Sequence, residues 1–492
     1  MPQSKGITIV GLGPGDPGLI TRQAWDWLNS VEEVYLRTSR HPAVAALPLH
    51  VRKQSFDAVF EEDADASAQY TQVVESVLDA GKRPQGATYA VPGHPFVAEE
   101  TVPEIVRRAR AENLPVKVME GVSFIEPACS ALGIDLFPQA SLIDALALAR
   151  LHTPSFPPSA PALIAHMASR PLAVQVKNTL LTVYPAQFTI RLVYALGSGA
   201  PQTVDMPLVD LDSFGKFGSD CVLFVPTLGE GASLEAFQEI VAHLRAEDGC
   251  PWDKEQTHHT LRTHLLGETY ETLQAMDDND PAGMAEEFGD LLLQIVLNAQ
   301  IGVEEREFNM ADILNGISSK IIRRHPHVFG NVEVDGVSGV LQNWEKLKAA
   351  ERAAKGDEKK KGLLDGVPLI FPSLAQAQEI QDRAARVGFD WDDIEKVWQK
   401  VPEEMEEVRC AETPEDREKE LGDLLFAVVN VVRWYKVDAE AALRTTNLRF
   451  RKRFAHLEKR SRETGRSLMT MTLDEMDEWW REAKQLEHQE DV

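Results

Sequence analysis

The sequence of this 492-residue chain is poor in cysteine and in long apolar runs. No apolar run approaches the length of a membrane-spanning helix, and the N-terminus lacks the apolar core of a signal peptide. Scattered cysteines without a CxxC pair argue against a zinc site or a disulfide framework and fit a reducing compartment. We therefore expect a cytoplasmic protein that binds no membrane. The cysteines are Cys129, Cys221, Cys250 and Cys410.

Positive charge is also scarce, with 51 Lys and Arg against 77 Asp and Glu and a formal net charge of -26. Such a surface repels polyanions, which argues against a nucleic-acid polymer as partner. Any polyphosphate site must therefore supply its own cations. The chain is too long for one ordinary core, so several domains are expected.

The composition along the chain predicts a multidomain protein. Residues 1–228 alternate strand-like runs such as GITIVGLG, GATYAVPG and CVLFVPTL with helical stretches, which indicates an α/β domain. From SLEAFQEIVAHLRAE onward the pattern is helical. We predict two all-α domains, residues 234–348 and 363–492, joined by a charged linker at 349–362.

The helical part contains an internal repeat. Each copy has a Trp-Asp pair, two acidic pairs of spacing three, and then a basic pair and a Trp–Lys pair of spacing four. Copy one consists of Trp252, Asp253, Glu268, Glu271, Glu287, Asp290, Lys320, Arg324, Trp344 and Lys348. Copy two consists of Trp391, Asp392, Glu404, Glu407, Glu420, Asp423, Arg449, Arg453, Trp480 and Lys484.

The paired acids predict a divalent-metal site in each copy. Residues three apart lie about 60° apart around a helix, so each pair projects from one face and two antiparallel helices gather four carboxylates. Clustered carboxylates repel one another and raise one another's pKa values. A bound Mg²⁺ or Mn²⁺ ion, which prefers oxygen ligands, removes the cost of this repulsion. A solvated acidic face or macrodipole-favoured acids are the alternative, but the acids adjoin apolar runs that must be buried. The predicted ligands are Glu268, Glu271, Glu287 and Asp290, and Glu404, Glu407, Glu420 and Asp423.

The basic and aromatic residues downstream point to a nucleotide. Arg449 and Arg453, one helical turn apart, are candidates to hold polyphosphate oxygens while the metal holds others. Trp480 is a candidate to stack on a base, although a core position is the commoner explanation for a single tryptophan. Together with the carboxylates, these residues predict a metal-dependent nucleotide site.

The helical part resembles the tandem-domain MazG nucleoside triphosphate pyrophosphohydrolases over roughly residues 234–487, on motifs such as GCPWDKEQT, EEFGDLLLQIV, EEMEE and ELGDLLFAVVN. The resemblance implies a dimer-forming helical bundle that converts NTP or dNTP with water to the monophosphate and pyrophosphate, using Mg²⁺. It implies catalytic roles for Glu403, Glu404, Glu407, Glu420 and Asp423, with Glu403 or Glu407 orienting the water. It implies nucleotide contacts at Lys400, Arg417, Arg449, Arg453 and Trp480.

Copy one departs from this pattern at two positions. Gly267 stands where the first glutamate of the motif is expected, and Leu297 occupies the place of Asn430. Asn430 follows Asp423 by seven residues, on nearly the same helical face, so we add it to the predicted nucleotide contacts. Copy two is therefore the predicted main catalytic site, and copy one is weaker, differently specific or structural.

The N-terminal segment ITIVGLGPGDPGLIT is a buried strand followed by a glycine-rich loop. Residues 13–18 satisfy GxGxxG, so a nicotinamide dinucleotide is one alternative. Pro14 and Pro17 remove backbone donors, however, and Asp16 would repel a pyrophosphate. S-adenosylmethionine, a sulfonium cation without phosphates, suits the loop better, and a ligand-free tight turn is the remaining alternative.

Residues 5–226 resemble the tetrapyrrole (corrin/porphyrin) methylases on GLGPGDPGLIT, PGHPFVAEET and EGVSFIEPACSALGID, and their place before MazG copies resembles the YabN-like fusion family. The resemblance implies a two-subdomain α/β fold that binds S-adenosylmethionine between its lobes. His94 in place of an Asp, and EGVS in place of PGVS, weaken the case for a tetrapyrrole substrate. A regulatory nucleotide- or ligand-binding protein with little turnover is the alternative to an enzyme. The implied cofactor segments are Gly11, Gly13, Gly15, Asp16, Gly93, His94, Pro95, Gly121, Val122 and Ser123.

Overall fold

A computed structural model describes residues 5–60, 66–337, 339–340, 343–344, 347, 362–369 and 371–490 of the chain. The chain divides into two units, Met1–Gln256 and Thr257–Val492. Apart from Gly362, the predicted charged linker lies outside the described residues, as does Lys348, and the predicted domain boundaries stay predictions. None of the described helices has both the length and the apolar character needed to span a membrane.

The first unit begins with a parallel sheet in the strand order β3-β2-β4-β1-β5. Its central strand is the apolar run ITIVG, and all five residues are buried, as expected for a parallel sheet that is covered on both faces. The loops that follow β4, β1 and β5 consequently leave the sheet side by side. The elements are β1 (Ile7–Gly11), α1 (Arg22–Leu28), β2 (Glu33–Leu36), β3 (Arg52–Ser55), α2 (Ala66–Gly81), β4 (Ala87–Val91), α3 (Thr101–Ala111), β5 (Val116–Met119) and α4 (Ile125–Leu132).

A second sheet follows in the order β6-β7-β10-β8-β9. Only the β6–β7 pair is parallel, and the other pairs are antiparallel. The two sheets confirm the predicted α/β fold of this part of the chain. The elements are β6 (Ser141–Asp144), α5 (Ala145–Ala149), β7 (Ala162–Ala165), α6 (Arg170–Leu180), β8 (Thr189–Tyr194), β9 (Gln202–Pro207), β10 (Val222–Val225), α7 (Leu234–Arg245) and α8 (Pro251–Glu255).

The second unit is helical wherever the structure assigns regular elements to its described residues, which confirms the predicted all-α class. The two helices that carry Glu-x-x-Asp begin alike: Asp280 and Thr413 accept a hydrogen bond from the first turn, and a proline follows each. Such a cap and a proline at the first position are strong helix-start signals. The elements are α9 (Leu261–Asp277), α10 (Pro281–Glu305), α11 (Met310–Arg324), α12 (Pro326–Phe329), α13 (Ser373–Arg386), α14 (Ile394–Cys410), α15 (Pro414–Trp434), α16 (Ala439–Thr464) and α17 (Leu473–Glu490).

Candidate functional site

Helices α14 and α15 bring three predicted metal ligands of copy two together. Carboxylate oxygens of Glu404, Glu407 and Glu420 lie within 4.8 Å of one another. Glu404 is only 7% exposed, and Lys400 Nζ lies 2.8 Å from its carboxylate and 2.8 Å from that of Glu403. The negative charge of Glu404 is the largest cause of the raised pKa of Glu407. Lys400 and Lys419, whose Nζ lies 3.4 Å from the Glu420 carboxylate, thus balance only part of the clustered charge, and a divalent cation would offset the rest.

A cavity of about 570 Å³ adjoins these carboxylates. Asp423, the fourth predicted ligand, lines it together with Glu404, Lys400 and Asn430. A charged region beside apolar and aromatic surface fits a small molecule that has both an anionic and a flat apolar part. The apolar lining includes Leu364, Ile380, Phe389, Trp391, Val397 and Phe426.

Four predicted nucleotide contacts do not line this cavity. Arg417 donates to a backbone carbonyl at 3.0 Å. Arg453 pairs with Glu487 at 2.7 Å, and its guanidinium lies 5.7 Å from the centre of the Trp480 ring. Arg449, one turn before Arg453, donates to a threonine hydroxyl at 3.3 Å. Their roles in nucleotide binding stay predictions.

Copy one has the same arrangement of acids on α9 and α10. Carboxylate oxygens of Glu268, Glu271 and Glu287 lie within 4.8 Å of one another. Burial, followed by the charge of Asp290, raises the pKa of Glu268, and burial with the charge of Glu271 raises the pKa of Glu287. Glu287 Oε2 is buried without a hydrogen-bond partner in the described part of the chain. This donor set also fits an oxygen-seeking cation.

A third group of metal-type ligands was not predicted. Ligand atoms of His258, Glu305 and Glu307 lie within 4.8 Å of one another. His258 Nδ1 lies 2.7 Å from the Asn298 side-chain oxygen, and its ring stacks on that of Phe308 at 5.6 Å. Sequence reasoning missed this group because none of its members belongs to the spacing pattern that recurs in both copies.

In the first unit, the three glycine-containing loops meet at the carboxyl ends of β4, β1 and β5. Gly93 N donates to Gly13 O at 2.7 Å, and Gly13 N donates to Gly93 O at 3.3 Å. A Cβ atom at Gly121 would lie 2.2 Å from Gly93 O, and one at Gly11 would lie 2.7 Å from the Gly121 backbone. These approaches exclude side chains at Gly11 and Gly121, whereas at Gly93 the positive φ of 64° favours glycine.

The polar side chains of the predicted cofactor segments hydrogen-bond within their own loops. Asp16 Oδ1 accepts from the Gly18 backbone at 2.8 Å, and His94 Nδ1 accepts from the Phe96 backbone at 3.1 Å. Ser123 Oγ donates to Glu126 at 2.6 Å. These bonds shape the loops, and contact with a cofactor stays a prediction.

A cavity of about 840 Å³ opens beside the loops. Pro14 and Gly93 line it, together with residues that the motifs did not reveal, among them Arg37, His41 and His166. Burial lowers the pKa of His41, and His166 Nδ1 lies 2.8 Å from an Asp144 carboxylate oxygen. Isolated basic residues between motifs carry no spacing signal, so the sequence did not mark them.

Known proteins are similar to both parts of the chain. Residues 6–211 match the tetrapyrrole (corrin/porphyrin) methylase family, and residues 256–329 match the MazG nucleotide pyrophosphohydrolase domain. The uncharacterized protein YabN of Bacillus subtilis is 38% identical over 98% of this chain and 99% of its own length. The nucleoside triphosphate pyrophosphohydrolase/pyrophosphatase MazG of Thermotoga maritima is 40% identical over 52% of this chain and 96% of its own. The nucleoside triphosphate pyrophosphohydrolase of Escherichia coli K12 is 42% identical over 50% of this chain and 95% of its own.

Proposed function

Because this chain belongs to the family in which a tetrapyrrole methylase domain is fused to MazG domains, we propose that it hydrolyses nucleoside triphosphates to monophosphates and pyrophosphate. The observation that carries the proposal is the carboxylate cluster of copy two beside a partly aromatic cavity. Similar MazG proteins are named for this activity.

The donor set of copy two fits Mg²⁺ or Mn²⁺, because every donor is a carboxylate oxygen. Glu404, Glu407, Glu420 and Asp423 would hold the ion. When bound, such an ion polarises phosphoryl oxygens and neutralises part of their charge.

The chain's own residues bind the triphosphate and position the water. Lys400, now paired with Glu403 and Glu404, can turn to a phosphate oxygen once a bound cation neutralises Glu404. Glu403 and Glu407 remain the two candidates to orient the water that attacks the α-phosphorus. Of these, Glu403 lies outside the close carboxylate cluster, and its carboxylate becomes available for that task when Lys400, 2.8 Å away, turns to the phosphate. As the water oxygen bonds to the α-phosphorus, the glutamate that orients the water accepts its proton and the bond from the α-phosphorus to the α–β bridging oxygen breaks. Cationic side chains offset the charge on the departing pyrophosphate.

Pyrophosphate release from each dNTP, with and without Mg²⁺, tests the proposal. Glu404→Gln removes the buried acid of copy two, and Glu268→Gln removes its counterpart in copy one. Loss of activity in Glu404→Gln alone would make copy two the main site. If neither variant loses activity, the metal assignment is wrong. Nucleotide binding without turnover would favour the regulatory alternative.

For the first unit we propose that S-adenosylmethionine binds at the glycine loops, with methyl transfer as the accompanying activity. The support is the backbone packing of Gly11, Gly13, Gly93 and Gly121 beside a large cavity. Calorimetric titration with S-adenosylmethionine and with NADH separates this proposal from the nicotinamide alternative. Binding of NADH alone would overturn it.

We also propose that the protein is a homodimer through its helical unit. Large apolar side chains on three helices are exposed in the single chain, including Trp398 at 44%, Leu425 at 61% and Phe450 at 56%. Exposed apolar surface of this extent is typical of protein interfaces. Light scattering of the purified protein measures the mass directly, and a monomer at micromolar concentration would contradict the proposal.

A further inference from the structure

A buried glutamine in the copy-two cavity has an unsatisfied oxygen. Gln381 on α13 is 7% exposed and lines the cavity. Its amide nitrogen donates to the Phe426 carbonyl at 2.8 Å, which determines the end of the amide that carries the oxygen. That oxygen is buried and has no hydrogen-bond partner among the residues the structure describes. A buried acceptor without a donor is costly, so the position is suited to a ligand that supplies an N–H.

Asn430, a second amide that lines the same cavity, uses its oxygen rather than its nitrogen in a hydrogen bond within the protein. Arg433 Nε donates to the Asn430 side-chain oxygen at 2.9 Å, and the Arg433 guanidinium is held by Asp390 at 2.6 Å. Because arginine only donates, the Asn430 oxygen is occupied and its amide nitrogen is left to donate. In the described part of the chain that nitrogen meets no acceptor. Two residues that line the cavity therefore carry an unpaired acceptor and an unpaired donor, respectively.

We propose that Gln381 and Asn430 recognise the hydrogen-bonding edge of a nucleobase. Such an edge carries an N–H donor next to an acceptor, which is the complement of this pair, and Trp391 and Phe389 in the cavity wall supply aromatic surface for the base. The inference rests on the proposed triphosphate hydrolysis and names the part of the substrate that the site selects. The substrate class is a triphosphate with an intact base that bears an N–H donor.

The internal repeat shows that these two amides are specific to copy two. The segment QEI occurs in both copies, and it is followed by Gln381 in copy two and by Val241 in copy one. Leu297 takes the place of Asn430, while three clustered carboxylates are present in each copy. The metal-binding acids are thus duplicated and the base-reading amides are not.

The test compares the substrate that the wild type hydrolyses fastest with an analogue that lacks N–H donors on the base, for example dATP with purine 2′-deoxyriboside triphosphate. Gln381→Met keeps the size of the side chain and removes the acceptor, together with the donor to the Phe426 carbonyl; the analogue with the wild type tests the acceptor by itself. We expect KM for the natural substrate to rise about tenfold in Gln381→Met, as for one lost hydrogen bond, with kcat little changed. With the wild type, KM for the analogue should exceed KM for the natural substrate by the same factor. With Gln381→Met, KM for the analogue should rise no further. Inhibition by inorganic tripolyphosphate should be unchanged.

Gln294→Met is the matched control, because Gln294 is a second buried glutamine with an unpartnered oxygen and lies on α10, away from this cavity. It should leave KM unchanged. If the wild type is active and neither Gln381→Met nor the analogue changes KM, base recognition by Gln381 is overturned and the proposed hydrolysis stands. If the wild type releases no pyrophosphate from any dNTP, the proposed function fails and this inference with it. Should Gln381→Met fail to fold, the analogue with the wild type decides alone, and equal KM values would overturn the inference.

Discussion

Glu404→Gln should abolish the thermal stabilisation that Mg²⁺ gives through copy two. The amide has the size of the carboxylate but lacks the charge that a hard cation requires. Without metal the variant should be about as stable as the wild type, because two effects oppose each other. The substitution removes the repulsion that raises the pKa of Glu407, and it also removes the ion pair with Lys400 at 2.8 Å.

The size of the metal effect follows from mass action. An ion at a hundred times its Kd stabilises the folded state by about 2.7 kcal/mol. For a unit of roughly this size, 1 kcal/mol shifts the unfolding midpoint by about 2–4 °C. The copy-two site should therefore contribute on the order of 5–10 °C at saturating Mg²⁺, and Glu404→Gln should lose that contribution.

Scanning calorimetry in EDTA and in excess Mg²⁺ measures the stability without metal and the shift of the unfolding midpoint that Mg²⁺ produces. The control is Glu406→Gln, because Glu406 lies on the same helix, pairs with Arg409 at 3.4 Å and is outside the carboxylate cluster. Glu406→Gln should keep the full shift. If Mg²⁺ shifts the unfolding midpoint of Glu404→Gln as much as that of the wild type, the assignment of Glu404 as a ligand is refuted. An equal loss in both variants would show that Mg²⁺ merely screens the acidic surface.

Three further predictions concern the pH dependence of stability, the glycine loops and the proposed dimer interface. In EDTA the contribution of the copy-two carboxylates to stability should fall as pH rises above 4.5, because the raised pKa of Glu407 makes the folded state bind more protons there than the unfolded state. Glu407→Gln should therefore shift the pH slope of the unfolding midpoint in the positive direction relative to the wild type, and an unchanged slope would contradict the clustering. Gly121→Ala should destabilise the first unit by about 1–3 kcal/mol and weaken S-adenosylmethionine binding in calorimetry, since its Cβ would lie 2.2 Å from a backbone oxygen. Gly215→Ala, with open space around it, is the control and should behave as the wild type. Leu425→Glu should convert the dimer to a monomer in light scattering, because it charges an exposed apolar position of α15; an unchanged mass would exclude this face.

The fold could be predicted where a local pattern decides the structure. The run ITIVG is apolar throughout, and the structure buries it as the centre of a parallel sheet. The helices of the second unit follow from apolar spacing, and Pro281 and Pro414 mark where the two acidic helices begin. The strand order of the second sheet was not predictable, because strands as short as β6 leave register and neighbour to be decided by tertiary packing.

The same distinction between local sequence patterns and tertiary packing applies to the candidate site. Spacing along a helix predicted the clustered acids, since the geometry within each pair is local. The role of Gln381 could not be predicted, because its free oxygen depends on a carbonyl of another helix, that of Phe426. The pairing of Arg453 with Glu487 could not be predicted either, because the two residues are 34 positions apart in sequence.

The residues proposed for metal binding and those proposed for base recognition lie largely on different helices of copy two. The clustered acids lie on α14 and α15, whereas Gln381 lies on α13 and only Asn430 shares a helix with the acids. A carboxylate cluster destabilises the fold unless a cation neutralises it. Copy one has such a cluster but has neither amide, since Val241 and Leu297 stand in the places of Gln381 and Asn430. We therefore infer that copy one keeps the requirement for a metal but lacks the base-reading amides and, at Gly267, the counterpart of Glu403. A substitution on α13 should accordingly change the preferred base of copy two while leaving the metal requirement of both copies intact.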